Sequence, residues 1–198
     1  MNLSILLAHP RPGSLCHQLA RAAADAACAQ GWTAALHDLY AERFDPVMGD
    51  AEAASRRSDD PLVERHCAEV ATADGIVIVH PNWWSGPPAI LKGWCDRVMR
   101  PGVAYTFSEL DANKGAPVGL LRARAVLALH TGSMPRAVEE KRLGNPLELL
   151  WHKALFAPCG VTSFRQLSFA PVANATPEQC DLWLAQTREA VRGLFLSA

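Results

Sequence analysis

Several features are missing from this 198-residue chain, and each absence closes a class of function. No apolar run approaches the roughly 20 residues that a membrane-spanning helix needs. Residues 3–7 are too short an apolar segment for a signal peptide, and no basic region precedes them. The six cysteines (Cys16, Cys28, Cys67, Cys95, Cys159 and Cys180) include no CxxC pair, so neither a zinc site nor a disulfide framework is expected. Several fall on apolar helix faces, where cysteine acts as a small hydrophobe. A reduced, cytoplasmic protein fits best. The net charge is -1, and the basic residues at 56–57 and 122–124 are isolated, so a nucleic-acid footprint is not expected. There is no GxGxxG, the usual dinucleotide fingerprint. There is also no internal repeat and no low-complexity segment.

What is present is a core-rich single domain over residues 1–198, with 49% hydrophobic residues. The chain is organised around residues 75–94. Gly75-Ile76-Val77-Ile78-Val79 is β-branched and apolar on both faces, the mark of a strand buried in a parallel sheet. His80-Pro81 ends it, Asn82-Trp83-Trp84-Ser85 follows as a loop, and Pro87-Pro88 opens a helix. Ile90, Leu91, Trp94 and Val98 share one face of that helix. The two tryptophans are thus delivered to the carboxyl edge of a sheet, where flat rings beside backbone amides suit a flat, polar-edged ligand. The competing reading makes them a loop plug or a subunit contact.

Other strands are expected over residues 3–8, 32–39, 123–129 and 161–169. The first ends at His9-Pro10, and the loop behind it leads to Ser14 at the start of a helix over 15–30, stopped by Gly31. Such a helix start offers free N–H groups to an anion, although Ser14 could simply cap it. Residues 41–59 form a long, polar connection anchored by Phe44 and Pro46, with room for a short helix or a partner contact. Asp60-Pro61 opens a helix whose inner face carries His66, read as a helix-edge residue rather than a ligand. Residues 103–121 are an irregular excursion that includes Lys114. The fourth strand closes with His130-Thr131-Gly132-Ser133. Capping boxes at 145–148 and 176–179 start two further helices, which carry Trp151 and Trp183. Alternating strands and helices imply a parallel α/β sheet of five strands in the order 2-1-3-4-5, with helices on both faces. The loops after strands one, three and four then share one crevice. Three histidines, His9, His80 and His130, stand at those strand ends. Three imidazoles can hold zinc, but no carboxylate second shell accompanies these, so a metal is not expected.

With these residues in view, the chain resembles the NAD(P)H:quinone oxidoreductases of the flavodoxin-like fold, the group of DT-diaphorase and the potassium-efflux ancillary proteins. The resemblance rests on His9-Pro10 with Ser14, Asp38-Leu39-Tyr40, Ala73-Asp74, Pro88-Ala89-Ile90-Leu91-Lys92-Gly93-Trp94, Asp96-Arg97, Ala104-Tyr105 and Thr131-Gly132; the Pro-Ala-Ile-Leu-Lys-Gly-Trp run is the most specific part. It implies a three-layer flavodoxin-like domain that binds a flavin, FAD or FMN. NAD(P)H would be the co-substrate, with two-electron, ping-pong reduction of quinones or similar small acceptors. It implies that His9, Ser14, Leu15 and Cys16 hold the flavin phosphate. Pro81, Asn82, Trp83, Trp84 and Ser85 then run along the flavin ring, and His130, Thr131, Gly132 and Ser133 close its other side. The amides of residues 83–85 are expected to bond the ring edge, and His130 to steady charge on the reduced cofactor. Three departures stand out. Cys16 replaces an Asn, His130-Thr131-Gly132-Ser133 replaces Thr-Thr-Gly-Gly, and residues 134–144 hold no counterpart of the charge-stabilising Tyr and His. A phospho-receiver domain would need acidic residues where His9-Pro10 stands. A homodimer is expected, both from the resemblance and from the large apolar surface attributed to the helices carrying Trp94 and Trp151. The alternative is a flavin-binding regulatory subunit of a membrane transporter, left open by residues 41–59.

Overall fold

A computed structural model describes residues 1–107 and 115–196; Lys114 lies outside them. The strands are β1 (Asn2–Leu7), β2 (Thr33–Asp38), β3 (Gly75–Pro81), β4 (Tyr105–Phe107), β5 (Pro117–Gly119), β6 (Ala125–Thr131) and β7 (Ser163–Phe169). The helices are α1 (Leu15–Cys28), α2 (Asp50–Ser55), α3 (Pro61–Thr72), α4 (Ala89–Val98), α5 (Arg136–Leu143), α6 (Pro146–Glu148) and α7 (Pro177–Leu196). A π-helix, Leu149–Phe156, continues α6. The main sheet is parallel and ordered β2-β1-β3-β6-β7. That is the 2-1-3-4-5 order, with a small antiparallel pair, β4-β5, inserted before its fourth strand; this pair is the expected irregular excursion.

β3 and β6 are buried along their whole length because both sheet faces are covered. Alternation then sends Ile76 and Ile78 to one apolar layer, shared with α3, α4 and the π-helix. Val77 and Val79 go to the other, shared with α1 and α7. Register pairs His80 with His130 and Pro81 with Thr131, so these strands end level at the carboxyl edge.

The structure corrects three readings. Trp94 and Trp151 do not enlarge the outer apolar surface. Each is 1% exposed, and their indole N–H groups donate to His66 and His80 inside the chain. Residues 41–59 hold α2 and fold back on the domain's own α4. Arg97 donates to both Glu52 carboxylate oxygens and to the Asp45 carbonyl, and Glu52 holds the guanidinium further toward its charged form. Pro46 sits directly on Gly93; a Cβ there would lie 2.3 Å from the Pro46 carbonyl oxygen. The segment therefore has a structural occupation, and the reason for reserving it for a transporter disappears. Finally, His66 is a buried hub rather than an edge residue: Nδ1 accepts from Trp94, and Nε2 faces Glu42 at 3.0 Å.

Among the described residues no helix is long and apolar enough to cross a membrane. All six cysteines are free.

Candidate functional site

The β1–α1 loop brings Ser14 to the N-cap of α1, but its hydroxyl makes no capping bond. Instead Ser14 Oγ lies 2.8 Å from His17 Nδ1, and His17 Nε2 lies 3.1 Å from Asp38 Oδ2 at the end of β2. The first-turn amides of α1 are left without a capping side chain, which is the condition for an anion site at a helix start. Leu15 and Cys16 begin the helix and are buried. Cys16 Sγ lies 3.3 Å from Thr131 Oγ1, tying this loop to the end of β6. Burial pushes the Cys16 thiol up to about 11, so it is a neutral thiol near pH 7. His9 closes the loop, its Nδ1 accepting from the Arg11 amide, with its ring 6.4 Å from that of Trp83.

Trp83, Trp84, Ser85 and Gly86 form a tight turn. Trp83 and Gly86 exchange both backbone hydrogen bonds at 3.0 Å. Trp84 and Ser85 at its centre have φ of +54° and +60°, the signature of a type I′ turn without glycine. Left-handed backbone costs such residues about 1 kcal/mol or more each, and strain of this kind concentrates at ligand sites. The turn holds the Trp84 ring fully in solvent, at 103% exposure, so Trp84 is not a core plug. The Trp83 amide is spent on the turn. Those of Trp84 and Ser85 have no partner among the described residues, so only these two can serve a ring edge.

Facing this turn across a cavity of about 600 Å³ are Gly132, Ser133 and Met134 after β6, and Glu139 and Leu143 of α5. Asn82 lies on the same wall. Its Nδ2 and the Ser85 hydroxyl both donate to Glu139 Oε1, at 2.8 and 3.0 Å, while its Oδ1 is buried with no partner. α5 buries no side chain, so this carboxylate is its main polar tie to the site. The remaining expected residues stand just behind the wall. Pro81 and Thr131 pair across the strand ends, and the Asn82 amide donates to the Thr131 carbonyl at 2.6 Å.

His130 is buried below this layer and does not line the cavity. Its Nε2 is 2.9 Å from the Gln166 amide nitrogen, and its Nδ1 has no partner. Burial lowers its pKa to about 4, so the ring is neutral near pH 7. It can offer an N–H but no positive charge. His80 is lowered by burial to about 3. Both its nitrogens are engaged, one with Trp151 and the other with the Pro81 carbonyl, so it has no nitrogen left for a metal. Among the described residues one group, His37, Glu42 and His66, brings three metal-capable atoms within 4.8 Å of one another. His66 Nδ1 accepts from Trp94, so its proton sits on Nε2, the atom a metal would need. The group is a hydrogen-bond hub in which His37 also reaches Glu69.

Of the expected residues, His9, Ser14, Leu15 and Cys16 gather at the β1–α1 loop and residues 82–85, Gly132 and Ser133 at the cleft, while Pro81 and Thr131 stand behind it and His130 lies below; Cys16–Thr131 and His9–Trp83 join loop and cleft. Sequence reading missed His17, although three residues after Ser14 is the spacing that shares a helix face. It also missed Glu139, whose partners lie more than 50 residues away in the chain.

A family model described as flavodoxin-like fold matches residues 1–192. A Cavia porcellus protein named NAD(P)H dehydrogenase (quinone) 1 is 32% identical over 169 residues, which cover 74% of this chain and 59% of the relative. The chain therefore spans less than two thirds of that relative's length. A Homo sapiens protein named ribosyldihydronicotinamide dehydrogenase (quinone) is 31% identical over 200 residues, covering 88% of this chain and 84% of the relative. Among solved structures, an FMN-dependent NADH-azoreductase from Bacillus anthracis str. Ames Ancestor, in complex with FMN, superposes with a TM-score of 0.73. It shares 15% identity over 97% of this chain and 98% of that one, a likeness of fold.

Proposed function

Because the chain belongs to the flavodoxin-like fold family, with relatives named NAD(P)H dehydrogenase (quinone) 1 and ribosyldihydronicotinamide dehydrogenase (quinone), we propose that it is a flavin-dependent NAD(P)H:quinone oxidoreductase. The observation that carries this reading is the juxtaposition at one sheet edge of an uncapped helix start and an aromatic cleft with open hydrogen-bonding groups. A flavin fits both: its phosphate suits the α1 amides, and the orphaned Asn82 Oδ1 suits a ring N–H. The B. anthracis neighbour that carries FMN on the same fold supports the choice.

In this reading Ser14, Leu15 and Cys16 hold the phosphate end, with His9 closing the loop. Asn82, Trp83, Trp84 and Ser85 bind one side of the ring, and Gly132 and Ser133 the other; Pro81 and Thr131 fix those loops from behind. Held there, a flavin would supply the two-electron chemistry between NAD(P)H and a quinone. The chain itself orients and shields. The Trp84 ring offers a stacking face to whichever substrate occupies the cleft. Glu139 holds Asn82 and Ser85 in place, and the apolar Met134 and Leu143 exclude water from that side. With His130 neutral and buried, charge on the reduced cofactor falls to uncharged donors of the cleft wall. Use of this one cleft by both substrates means that the nicotinamide leaves before the quinone enters, which is ping-pong turnover.

Initial rates measured over a grid of NAD(P)H and quinone concentrations test this. Parallel double-reciprocal lines are expected, and intersecting lines would contradict the shared cleft.

We further propose a homodimer. The buried tryptophans no longer argue for it. The support is a second, mainly apolar groove of about 660 Å³, lined by Met48, Cys95, Met99, Tyr105, Phe107 and Leu150 among others. A surface of that kind suits a self-complementary twofold contact.

A further inference from the structure

The Ser14–His17–Asp38 chain makes more of the anion loop than a helix start. We propose that His17 is a proton-gated cation of this loop: a ligand phosphate is bound together with one proton from solvent, which is taken up on His17 Nδ1. The inference rests on the flavin reading above and assigns a role to two residues outside it.

The argument is a count of hydrogens. Asp38 is fixed as an acceptor. Its Oδ1 takes the amides of Tyr40 and Ala41 at 3.1 and 3.2 Å, and its Oδ2 faces His17 Nε2 at 3.1 Å. Nε2 therefore carries a hydrogen. At the other end, Ser14 Oγ and His17 Nδ1 are 2.8 Å apart, with both side chains buried. One hydrogen must lie between them. When the ring carries a hydrogen on Nε2 alone, the serine hydroxyl supplies it and both nitrogens are satisfied.

A phosphate offers only acceptors toward the protein once ionised. For Ser14 to donate to it, the hydroxyl hydrogen must turn away from His17. Two lone pairs would then face each other in a buried site, a loss comparable to an unmade buried hydrogen bond. A proton from water bound to Nδ1 removes that conflict. The ring then donates to Ser14 Oγ and to Asp38, and Ser14 donates to the phosphate. No covalent bond of the protein or the ligand is broken. The site gains one positive charge beside the anion, held by the Asp38 carboxylate behind it.

The groups facing His17 are few. His9 on the β1–α1 loop stands edge-on with ring centres 6.3 Å apart. Burial lowers the pKa of His9, so it does not supply the charge itself. Arg11 lies on the same loop and is exposed. Asp38 ends β2, and Cys16, one residue away on α1, is a neutral thiol hydrogen-bonded to Thr131.

Calorimetric titration of the flavin-free protein with FMN and with FAD, in MOPS, PIPES and Tris buffers of different protonation enthalpy, reads the proton count directly. FAD is the cleaner probe, because a phosphate monoester such as FMN has its own second pKa near ~6. Above pH 7 the wild type should take up close to one proton per flavin, and the Kd should rise about tenfold per pH unit. His17→Gln, whose amide can still donate to Asp38, should bind the flavin with no proton uptake and a flat pH profile. Riboflavin, which lacks the phosphate, should bind the wild type without uptake. Flavin binding with no proton uptake, or with the same uptake in His17→Gln, would overturn the role of His17 and leave the flavin site standing. Failure of the wild type to bind FMN or FAD at all would overturn the site reading and His17's role with it. If His17→Gln does not fold, the pH dependence of the wild-type Kd, followed by flavin fluorescence, decides the same question: a tenfold rise per pH unit supports the proton, and a flat profile overturns it.

Discussion

Trp84 is the residue on which the reading of the cleft turns. Its ring is in solvent and its backbone is held in a left-handed turn, so little folding energy depends on the side chain. Stacking on an incoming acceptor contributes roughly 0.5–1.5 kcal/mol beyond area burial. Trp84→Ala should therefore lower quinone reduction about threefold to tenfold, since each ~1.4 kcal/mol of transition-state stabilisation is a factor of ten. The melting temperature of the flavin-free protein should not fall, because the exposed ring makes no core contact to lose. A stability loss with unchanged turnover in the folded fraction would return Trp84 to a structural role. At this scale the sequence showed the residue types and not their partners. Ser14 was legible as a helix start, but that its hydroxyl turns to His17 depends on where Asp38 ends β2. Glu139 was invisible because nothing local ties a helix with no buried side chain to Asn82 and Ser85. Trp94 and Trp151 misled because their apolar mass looked like surplus surface; buried His66 and His80 satisfy their indoles and let the core absorb them.

Elements were more legible than residues. The unbroken apolar run of β3, the prolines opening α3 and α4, and the capping residues at Asp60 and Asn145 are local signals, and each appears where expected. The path of residues 41–59 was not legible, because it is set by a contact between distant elements: Pro46 on Gly93, clamped by Arg97 and Glu52. Two effects oppose each other in Gly93→Ala. Alanine is the better helix former by about 1 kcal/mol. The new Cβ would meet Pro46 atoms at 2.3 to 2.5 Å, some of them backbone, which no rotamer change relieves. Overpacking of this kind costs about 1–3 kcal/mol and should win. The variant should melt at a lower temperature and be cleaved faster within residues 41–49 in limited proteolysis. A melting temperature at or above the wild type would show that the loop does not need this close approach.

For the whole molecule, the order of the sheet was legible because five alternating strands allow few arrangements, and that order alone brings the three loops together. The two buried histidines at its edge give the fold a pH dependence of definite sign. His80 and His130 titrate near 3 and 4 when folded, against about 6.5 when unfolded. Between those values the unfolded chain binds more protons, so stability is flat above about pH 6.5 and falls as the solution is acidified. Urea unfolding of the apo-protein at pH 7 and pH 5 should show a loss on the order of 3–4 kcal/mol, about 2 from each ring; equal stabilities would mean that these rings are not held neutral. Light scattering at micromolar concentration should give a dimer mass, and a monomer would remove the proposed role of the apolar groove. The central claim is that the anion loop and the aromatic cleft hold a flavin that NAD(P)H reduces and a quinone reoxidises. Anaerobic absorbance of the flavin-loaded protein tests it most directly. One equivalent of NADH or NADPH should bleach the flavin band, and one equivalent of a benzoquinone should restore it. A protein that takes up neither FMN nor FAD, or whose bound flavin keeps its full absorbance under excess NADH and NADPH, would contradict the account.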